Sequence, residues 1–338
     1  MSCEMSITTI DATKWNALVE CAPDISLQQL FEYGVAKEKT GRITVVRHLF
    51  HQAGQIVGAA QATIRHFPFS QKGLVWISRG PLIIDQSLDQ NILLHDMLTE
   101  LKKYWVIERK MYLRLLPATN LTSEGKLIFD QMEYRVSPKL GWASIRVNLH
   151  KSEEELYLSM HKLWRRYFRV LNEDKVICTV SNADNEIKTL LRDYQQLVKK
   201  KGFDIDAVSV DFLLQLQEAL PEKNKLLVFN ADCKGQCLGR LLIARYGHTA
   251  MAYIIGQNIA GQGRHVNHYL YWEAIKKMKA MGYSWFDLGG AHPQNTPSGI
   301  MQFKLGFGGE AYQLANEIEA CPSGLLYGLL RKIISSKR

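Results

Sequence analysis

The sequence predicts an α+β protein with two domains in tandem, each a mixed, mostly antiparallel sheet flanked by helices. The first observation is the length of 338 residues, which is enough for two domains with substantial cores. The second is the composition, because 46% hydrophobic and 22% charged residues are ordinary for a globular protein. The third is that one order of predicted helices and strands occurs twice along the chain.

In the first half, three segments have apolar residues at helical spacing, and four segments are rich in β-branched and apolar residues. The turn at Ala53-Gly54 predicts a hairpin, and Arg79-Gly80-Pro81 interrupts the strand after it. The predicted elements are helices over residues 11–20, 27–35 and 92–107 and strands over 42–49, 55–65, 74–84 and 111–116.

The second half repeats this order after a strand over 142–149 and a single linker helix over 151–171. Ser152 is expected to cap that helix, because its hydroxyl can accept a free backbone amide. We therefore expect a first domain at 1–150, and the linker helix, second domain and tail at 151–338. The other predicted elements are helices over 186–201, 210–220 and 267–281 and strands over 226–229, 238–246, 250–256 and 283–288.

Cysteine spacing and apolar runs bear on metal content and location. The six cysteines are scattered without a C-x-x-C pair, so we expect reduced thiols and no metal site. The first ten residues do not resemble a signal peptide, and no run of about 18 apolar residues predicts a membrane span. A cytoplasmic location is expected. The net charge of +9 favours anionic partners, although such a charge is also common as plain solubilising charge.

The segment 283–310 contains the strongest candidate for chemistry. A predicted strand ends at Gly289-Gly290, and after a polar loop Phe303-Lys304 precedes further glycines in what the pattern predicts to be a tight turn. Lys304 is either a solvated turn residue or a compact cation placed for a phosphate or a developing oxyanion. A lysine on a surface turn contributes little to stability, so its replacement is expected to leave folding intact.

The order Asp287, Gly289-Gly290, Gly299-Ile300, Phe303-Lys304 and Gly306-Phe307-Gly308 resembles the closing signature of the Fem-type aminoacyltransferases. Those enzymes extend peptidoglycan stem peptides from aminoacyl-tRNA, and their fold is similar to two GNAT acyltransferase domains. The resemblance implies an amide-forming acyltransferase with tRNA as donor carrier and an anionic nucleotide- or lipid-linked acceptor. It also implies that Lys304 is catalytic and that Phe303, Gly289 and Gly290 bind substrate.

Two further segments resemble the same family. The linker helix carries Arg165, Arg166 and Arg169, which form either a solvated face or an anion site, because guanidinium groups bind phosphate bidentately. The resemblance implies that they bind substrate. Arg79-Gly80-Pro81 followed by Asp85 resembles a substrate-binding arginine with a catalytic carboxylate; the plain alternative is a bulge that closes a strand. Asp287 and several histidines are other candidate bases.

A different donor is predicted by the loop before the helix at 267–281. Asn258, Gly261 and Gly263 resemble the motif with which GNAT enzymes receive the pyrophosphate of acyl-CoA, although Asn258 stands where Gln or Arg is usual. A flexible loop is the structural alternative. The donor is therefore aminoacyl-tRNA or, alternatively, an acyl thioester in polysaccharide or lipid biosynthesis, and no tightly bound cofactor is expected. A non-catalytic binding module is the third hypothesis.

The last 16 residues predict an amphipathic helix. Its basic residues and apolar stripe would either dock on the protein's own core or lie peripherally on the inner face of the membrane. The stripe consists of Leu325, Leu326, Leu329, Leu330, Ile333 and Ile334.

Overall fold

The computed structural model describes residues 3–119, 129, 132–137, 140–201, 209–257, 259–261 and 263–323. The described α-helices are α1 Ala12–Val19, α2 Phe31–Thr40, α3 Gln90–Lys102, α4 Glu153–Ser159, α5 Lys162–Glu173, α6 Asp184–Lys201, α7 Val210–Ala219, α8 Val266–Ala280 and α9 Ser298–Leu305. The strands are β1 Glu4–Thr8, β2 Thr44–Gln52, β3 Gln55–His66, β4 Gly73–Ser78, β5 Leu82–Ile83, β6 Tyr112–Leu116, β7 Arg135–Val136, β8 Ala143–Asn148, β9 Ile177–Ser181, β10 Leu227–Cys233, β11 Gln236–Tyr246, β12 Thr249–Gln257, β13 Trp285–Asp287, β14 Glu310–Gln313 and β15 Ile318–Ala320.

These elements form two compact units, each around its own mixed sheet, which confirms the predicted fold class. The first unit comprises Met1–Trp142 with Gln313–Arg338, and the second comprises Ala143–Tyr312. The first sheet has the order β1-β2-β3-β4-β6-β15-β7, with β5 beside β3, and the second has the order β14-β8-β13-β12-β11-β10-β9. The parallel pairs are β4 with β6 and β12 with β13, and the other pairings with described registers are antiparallel.

Strand alternation determines which side chains enter the core of the first unit. The hairpin β2–β3 turns at Ala53-Gly54 as predicted, and both residues have positive φ. One face of the sheet carries Ile64, Val75 and Leu113, which are at most 3% exposed and pack with the apolar stripe of α3. The core is thus built by the period-2 and helical patterns visible in the sequence.

The boundary between the units differs from the predicted one at residue 150. Strand β8 pairs antiparallel with β13, with Val147 opposite Phe286, and so it belongs to the second sheet. Strand β15 returns to the first sheet, where Ile318 lies opposite Leu115. Backbone pairing across long stretches of chain sets these boundaries, and local sequence patterns do not reveal it.

The predicted linker helix is two helices, α4 and α5. Ser152 caps α4 as predicted, in a capping box with Glu155. The helix ends because Met160 is extended, with φ −75° and ψ 152°, and its side chain is buried. The backbone amide of His161 then donates to the Gly306 carbonyl at 2.8 Å. A contact with a distant residue therefore replaces an intrahelical hydrogen bond at this point.

Other sequence predictions need smaller corrections. Residues 27–35 are not one helix, because Leu30 is extended and separates a 3₁₀ turn at Leu27–Gln29 from α2. Apolar runs in the sequence did not predict β1 and β9, because the side chains of these strands are largely exposed. The predicted tail at 323–338 lies outside the described residues except for Ser323.

Two features are absent from the described part of the chain. None of its helices is long and apolar enough to cross a membrane. It also contains no group of three or more His, Cys, Asp or Glu residues that could hold a metal ion.

Candidate active site

The candidate site lies in the second unit, at the carboxyl end of β13. Strands β12 and β13 pair in parallel only from Thr249 opposite Trp285 to Met251 opposite Asp287. Strand β12 then continues to Gln257, whereas the chain leaves β13 and turns at Gly289-Gly290. Separating parallel strands leave backbone groups without sheet partners, and functional groups collect at such strand ends.

Lys304 reaches this strand end from α9. The sequence predicted that Lys304 lies on a tight turn, either solvated or placed for an anionic group, but Lys304 lies in the last turn of a helix and is only 8% exposed. Its Nζ donates to the carbonyl oxygens of Gly289 at 2.9 Å and Gly290 at 2.8 Å. An ammonium group has three protons, and the third has no acceptor among the described residues. This proton is available to a ligand.

The environment of Lys304 disfavours its charged form. Burial lowers the pKa of the ammonium from 10.5 to about 8, and the carboxylate of Asp287 opposes this shift. Removal of water around a cation raises the free energy of the protonated form, whereas a nearby anion lowers it. Lys304 is therefore mostly protonated at neutral pH and loses its charge under mildly alkaline conditions.

Asp287 organises the glycine turn. Its Oδ1 accepts the backbone amide of Gly289 at 2.8 Å and also the hydroxyl of Ser144. Its Oδ2 accepts the hydroxyl of Tyr312 at 2.5 Å. With both oxygens engaged and only 3% of the residue exposed, Asp287 has the geometry of a loop cap. We infer that Asp287 positions Gly289, whose carbonyl in turn accepts a hydrogen bond from Lys304.

Gly289 is glycine for two physical reasons. Its φ of +77° lies in the left-handed region, which L side chains rarely adopt. A Cβ at this position would also lie 2.5 Å from the carbonyl oxygen of Ala252 and 3.5 Å from Lys304 Nζ. The turn can therefore approach both β12 and the lysine only without a side chain here.

The linker helix α5 packs directly against the turn that follows Lys304. A Cβ on Gly306 would lie 2.5 Å from the indole of Trp164. The indole Nε1 of Trp164 donates to the carbonyl of Phe303 at 3.1 Å. The glycine motif and the basic helix, which are separate motifs in the sequence, thus form one packed structure.

Phe303, which precedes Lys304 on α9, belongs to an aromatic cluster. Its ring meets those of His268, Tyr271 and Phe307 edge-on, at centroid distances of 4.8, 5.1 and 5.4 Å. Burial lowers the pKa of His268 to about 4, so this imidazole is neutral and forms part of the cluster. The contacts of the Phe303 ring hold α9 in place. The substrate contact of Phe303 that the resemblance implies stays a prediction.

The three predicted arginines differ in their surroundings. Arg165 is half-buried, and its guanidinium lies 5.9 Å from the ring centroid of Tyr157 and 3.4 Å from the carbonyl of Leu158. Arg166 and Arg169 are exposed and make no hydrogen bond or ion pair with the described residues. They present two guanidinium groups to solvent from the helix that packs on the candidate site.

Arg79 and Asp85 belong to the first unit. Arg79 has φ +57°, and its guanidinium lies 5.7 Å from the ring centroid of Trp142. The carboxylate of Asp85 accepts the amide and hydroxyl of Ser87 at 2.9 and 2.6 Å, and these hydrogen bonds lower its pKa. A lowered pKa weakens a base, so the geometry favours a turn over the predicted proton acceptor.

The alternative donor loop is described only in part. Asn258 lies outside the described residues. Gly261 packs so tightly that a Cβ would overlap the carbonyl oxygen of Leu238, so the packing of the chain explains this glycine without a ligand. Gly263, with φ +75°, has open space around it before α8 begins. Of the two described glycines, only Gly263 leaves room for a phosphate.

The sequence prediction missed a cationic cavity in the first unit. It measures about 210 Å³ and is lined by Lys37 and Arg65 together with the rings of Tyr33 and Trp76. Burial, and to a lesser extent the charge of Arg65, lower the pKa of Lys37. The half-buried Lys37 and the exposed Arg65 place two cations beside aromatic rings, which suits an anionic group joined to a planar one. Strand pairing and the packing of α2 create this cavity, so local patterns gave no signal.

A family model matches most of the second unit of the protein. Residues 159–312 match the family model for the acetyltransferase (GNAT) domain. The predicted class, an acyltransferase, is confirmed.

Solved structures extend the likeness to the whole chain. FemX has a TM-score of 0.79 at 15% identity, and the alignment covers 98% of this chain and 100% of FemX. L-PGS from Bacillus licheniformis has a TM-score of 0.54 at 13% identity, covering 96% and 95%. A tandem GNAT protein from the clavulanic acid biosynthesis pathway has a TM-score of 0.54 at 10% identity, covering 95% and 100%. At these identities the likeness is one of fold, and it confirms the predicted tandem GNAT-like arrangement. No curated protein sequence matches the chain.

Proposed function

We propose that this acyltransferase moves an aminoacyl group from aminoacyl-tRNA to an amine of an anionic, nucleotide- or lipid-linked peptide such as a peptidoglycan precursor. The observation that carries the proposal is the buried ammonium of Lys304 at the end of β13. It is fixed by two backbone carbonyls, and its third proton has no acceptor among the described residues. The likeness of the fold to FemX supports this choice of reaction.

The reaction needs charge stabilisation and alignment, and it needs no protein nucleophile. The acceptor amine attacks the ester carbonyl of the aminoacyl-tRNA, and a tetrahedral intermediate with a negative oxygen forms. In this proposal the third proton of Lys304 hydrogen-bonds that oxygen. The carbon–nitrogen bond forms, the ester carbon–oxygen bond breaks, and the proton lost by the amine leaves on the ribose hydroxyl. A fixed donor at a developing oxyanion acts without reorganising when charge appears.

Two features of the described residues support anionic substrates. Arg166 and Arg169 are exposed cations on the helix that packs against the Lys304 turn, which is a suitable place for tRNA phosphates. The cationic cavity of the first unit suits the phosphate of the acceptor, since Lys37 and Arg65 line it. The net charge of +9 favours the approach of both.

The donor can be identified directly. We expect the protein to consume radiolabelled aminoacyl-tRNA, and not acyl-CoA, when it is incubated with each donor and a pool of peptidoglycan precursors. Binding of tRNA should weaken steeply with salt, because bound phosphates release counterions. Arg166→Ala should make the negative slope of log K for tRNA binding against log salt concentration shallower by about 1.

Lys188→Ala is the matched control for the donor experiment, because Lys188 is an exposed cation on α6, outside the proposed contact. It should leave the salt slope unchanged. Consumption of acyl-CoA alone, or tRNA binding that does not change with salt, would assign the donor to the thioester class.

The pH dependence of the reaction should reflect the charge of Lys304. The protonated lysine is the active form, and its pKa is lowered to about 8. We therefore expect kcat/KM to fall as the pH rises through about 8, because the fraction that carries the third proton falls. In Lys304→Arg the guanidinium stays charged, so the residual activity should lack this alkaline decrease. An identical decrease in both proteins would show that another group titrates.

A further inference from the structure

The tip of the β3–β4 hairpin presents an aromatic side chain to solvent. Residues 67–72 connect the two strands, and Phe69 at the apex is fully exposed with φ +56°. Pro68 beside it is exposed as well, and Phe67 is half-buried. A protruding Phe-Pro-Phe tip does not contribute to the core of the unit, so its apolar surface has no internal role.

The tip is nevertheless a defined structure. The amide of Phe67 donates to the carbonyl of Lys72 at 2.9 Å, and the amide of Ser70 donates to the carbonyl of Phe67 at 3.2 Å. The amide of Lys72 donates to the hydroxyl of Ser70 at 3.0 Å, and Gln71 bonds His66 through its carbonyl. Because these backbone groups are satisfied within the tip, they add little to the cost of moving it into a less polar phase.

The charge around the tip has one dominant sign. The stretch from Arg65 to Gly73 contains Arg65 and Lys72 and no acidic residue. The register of β2 with β3 sets Thr44 opposite Ile64, so the exposed Arg42 lies at the same end of the sheet. Glu38 is also at this end, where its carboxylate accepts the amide of Val45 at 2.9 Å.

We propose that this tip is a contact site for the interface of an anionic phospholipid bilayer. Phe69 would enter the headgroup region, and the surrounding cations would meet the lipid phosphates, since aromatic burial and cation attraction together drive interfacial binding. A single protruding ring fits a deformable interface better than the broad, matched surface that a protein partner requires. The proposed partner is a lipid surface, which the chain binds peripherally.

The position of the tip has a consequence for the acceptor. Arg65 and Leu74, one at each base of the tip, line the cationic cavity of the first unit. A tip resting on a bilayer would hold this cavity close to the headgroups, which favours a lipid-linked acceptor. This consequence rests on the proposed function, whereas membrane contact itself does not.

Flotation of the full chain with vesicles tests the contact. We expect the protein to float with phosphatidylcholine vesicles that contain phosphatidylglycerol, and not with phosphatidylcholine alone. Phe69→Ser should reduce the vesicle-bound fraction about tenfold by removing the inserted ring. Ile92→Ser is the matched control, because Ile92 is another exposed apolar residue, on α3, and its replacement should leave flotation unchanged. Both variants should keep the wild-type thermal unfolding midpoint.

Three results would overturn the proposal. They are absence of flotation with anionic vesicles, equal flotation of Phe69→Ser and wild type, and a loss of tRNA binding in Phe69→Ser without a change in flotation.

The activity of Phe69→Ser on a water-soluble acceptor separates the proposed membrane contact from the proposed function. Normal activity with lost flotation supports the membrane contact, and flotation by an inactive wild type would refute only the proposed function.

Discussion

Lys304→Met is expected to lower kcat/KM at least about a hundredfold, the effect of removing one fixed donor from a developing oxyanion. Methionine keeps an unbranched apolar side chain in the space that the lysine stem fills, so the ammonium is the main loss. Because the lost proton contacts the substrate only as charge develops, kcat should fall with little change in KM. Steady-state kinetics with the donor identified above measures the effect.

The stability of Lys304→Met depends on two opposing contributions. The carbonyls of Gly289 and Gly290 lose their donor, which costs about 1–3 kcal/mol when acceptors are buried. The variant also removes a cation whose pKa is lowered by burial, so a desolvation penalty present at neutral pH disappears. We expect a net change within about 2 kcal/mol, read from denaturant unfolding. The sequence predicted that replacement of Lys304 leaves folding intact. Because Lys304 is buried, we expect its replacement to affect stability as well.

Lys225→Met is the matched control. Lys225 also donates to two backbone carbonyls, those of Gln217 at 2.6 Å and Glu218 at 3.3 Å, at a distance from β13 along the second sheet. Its replacement should change stability by a similar amount and leave kcat/KM unchanged. Equal losses of activity in both variants would mean that Lys304 acts only by supporting the fold.

Gly289→Ala is expected to destabilise the protein by more than about 3 kcal/mol and to abolish measurable activity, because a positive φ and a backbone overlap act together. The new Cβ would lie 2.5 Å from the carbonyl oxygen of Ala252, so the turn must move away from β12. That movement displaces the carbonyl that holds Lys304. Chemical unfolding measures the first effect, and single-turnover kinetics on the folded fraction measures the second.

Gly282→Ala separates the effect of the positive φ from the effect of the backbone overlap. Gly282 has a similar φ of +84°, but a Cβ there meets nothing within 4 Å. We expect this control to cost about 1–2 kcal/mol, the price of the left-handed backbone alone, and to keep full activity. If the two alanine variants were equally stable and active, the close approach to β12 would have no role in the site.

The sequence by itself determined most of the local structure. The hairpin at Ala53-Gly54, the cap at Ser152 and the apolar stripe of α3 were predicted correctly, because each depends on residues within a few positions of one another. The motif around Phe303-Lys304 also indicated the part of the chain in which the candidate site lies. The short glycine pattern predicted that the backbone around Lys304 turns tightly. It did not predict which groups bind the ammonium.

The tertiary structure alone decided the partners. Lys304 is a buried, two-carbonyl-bound cation because α9 returns to the turn after β13, and the pKa of its ammonium follows from that burial. The linker helix breaks at Met160-His161 because the His161 amide finds the Gly306 carbonyl, far along the chain. Strand β15 joins the first sheet because its backbone pairs with β6, which lies far away along the chain. Burial and hydrogen-bond partners arise between residues distant in sequence, and a pattern that reports only near neighbours carries no information about them.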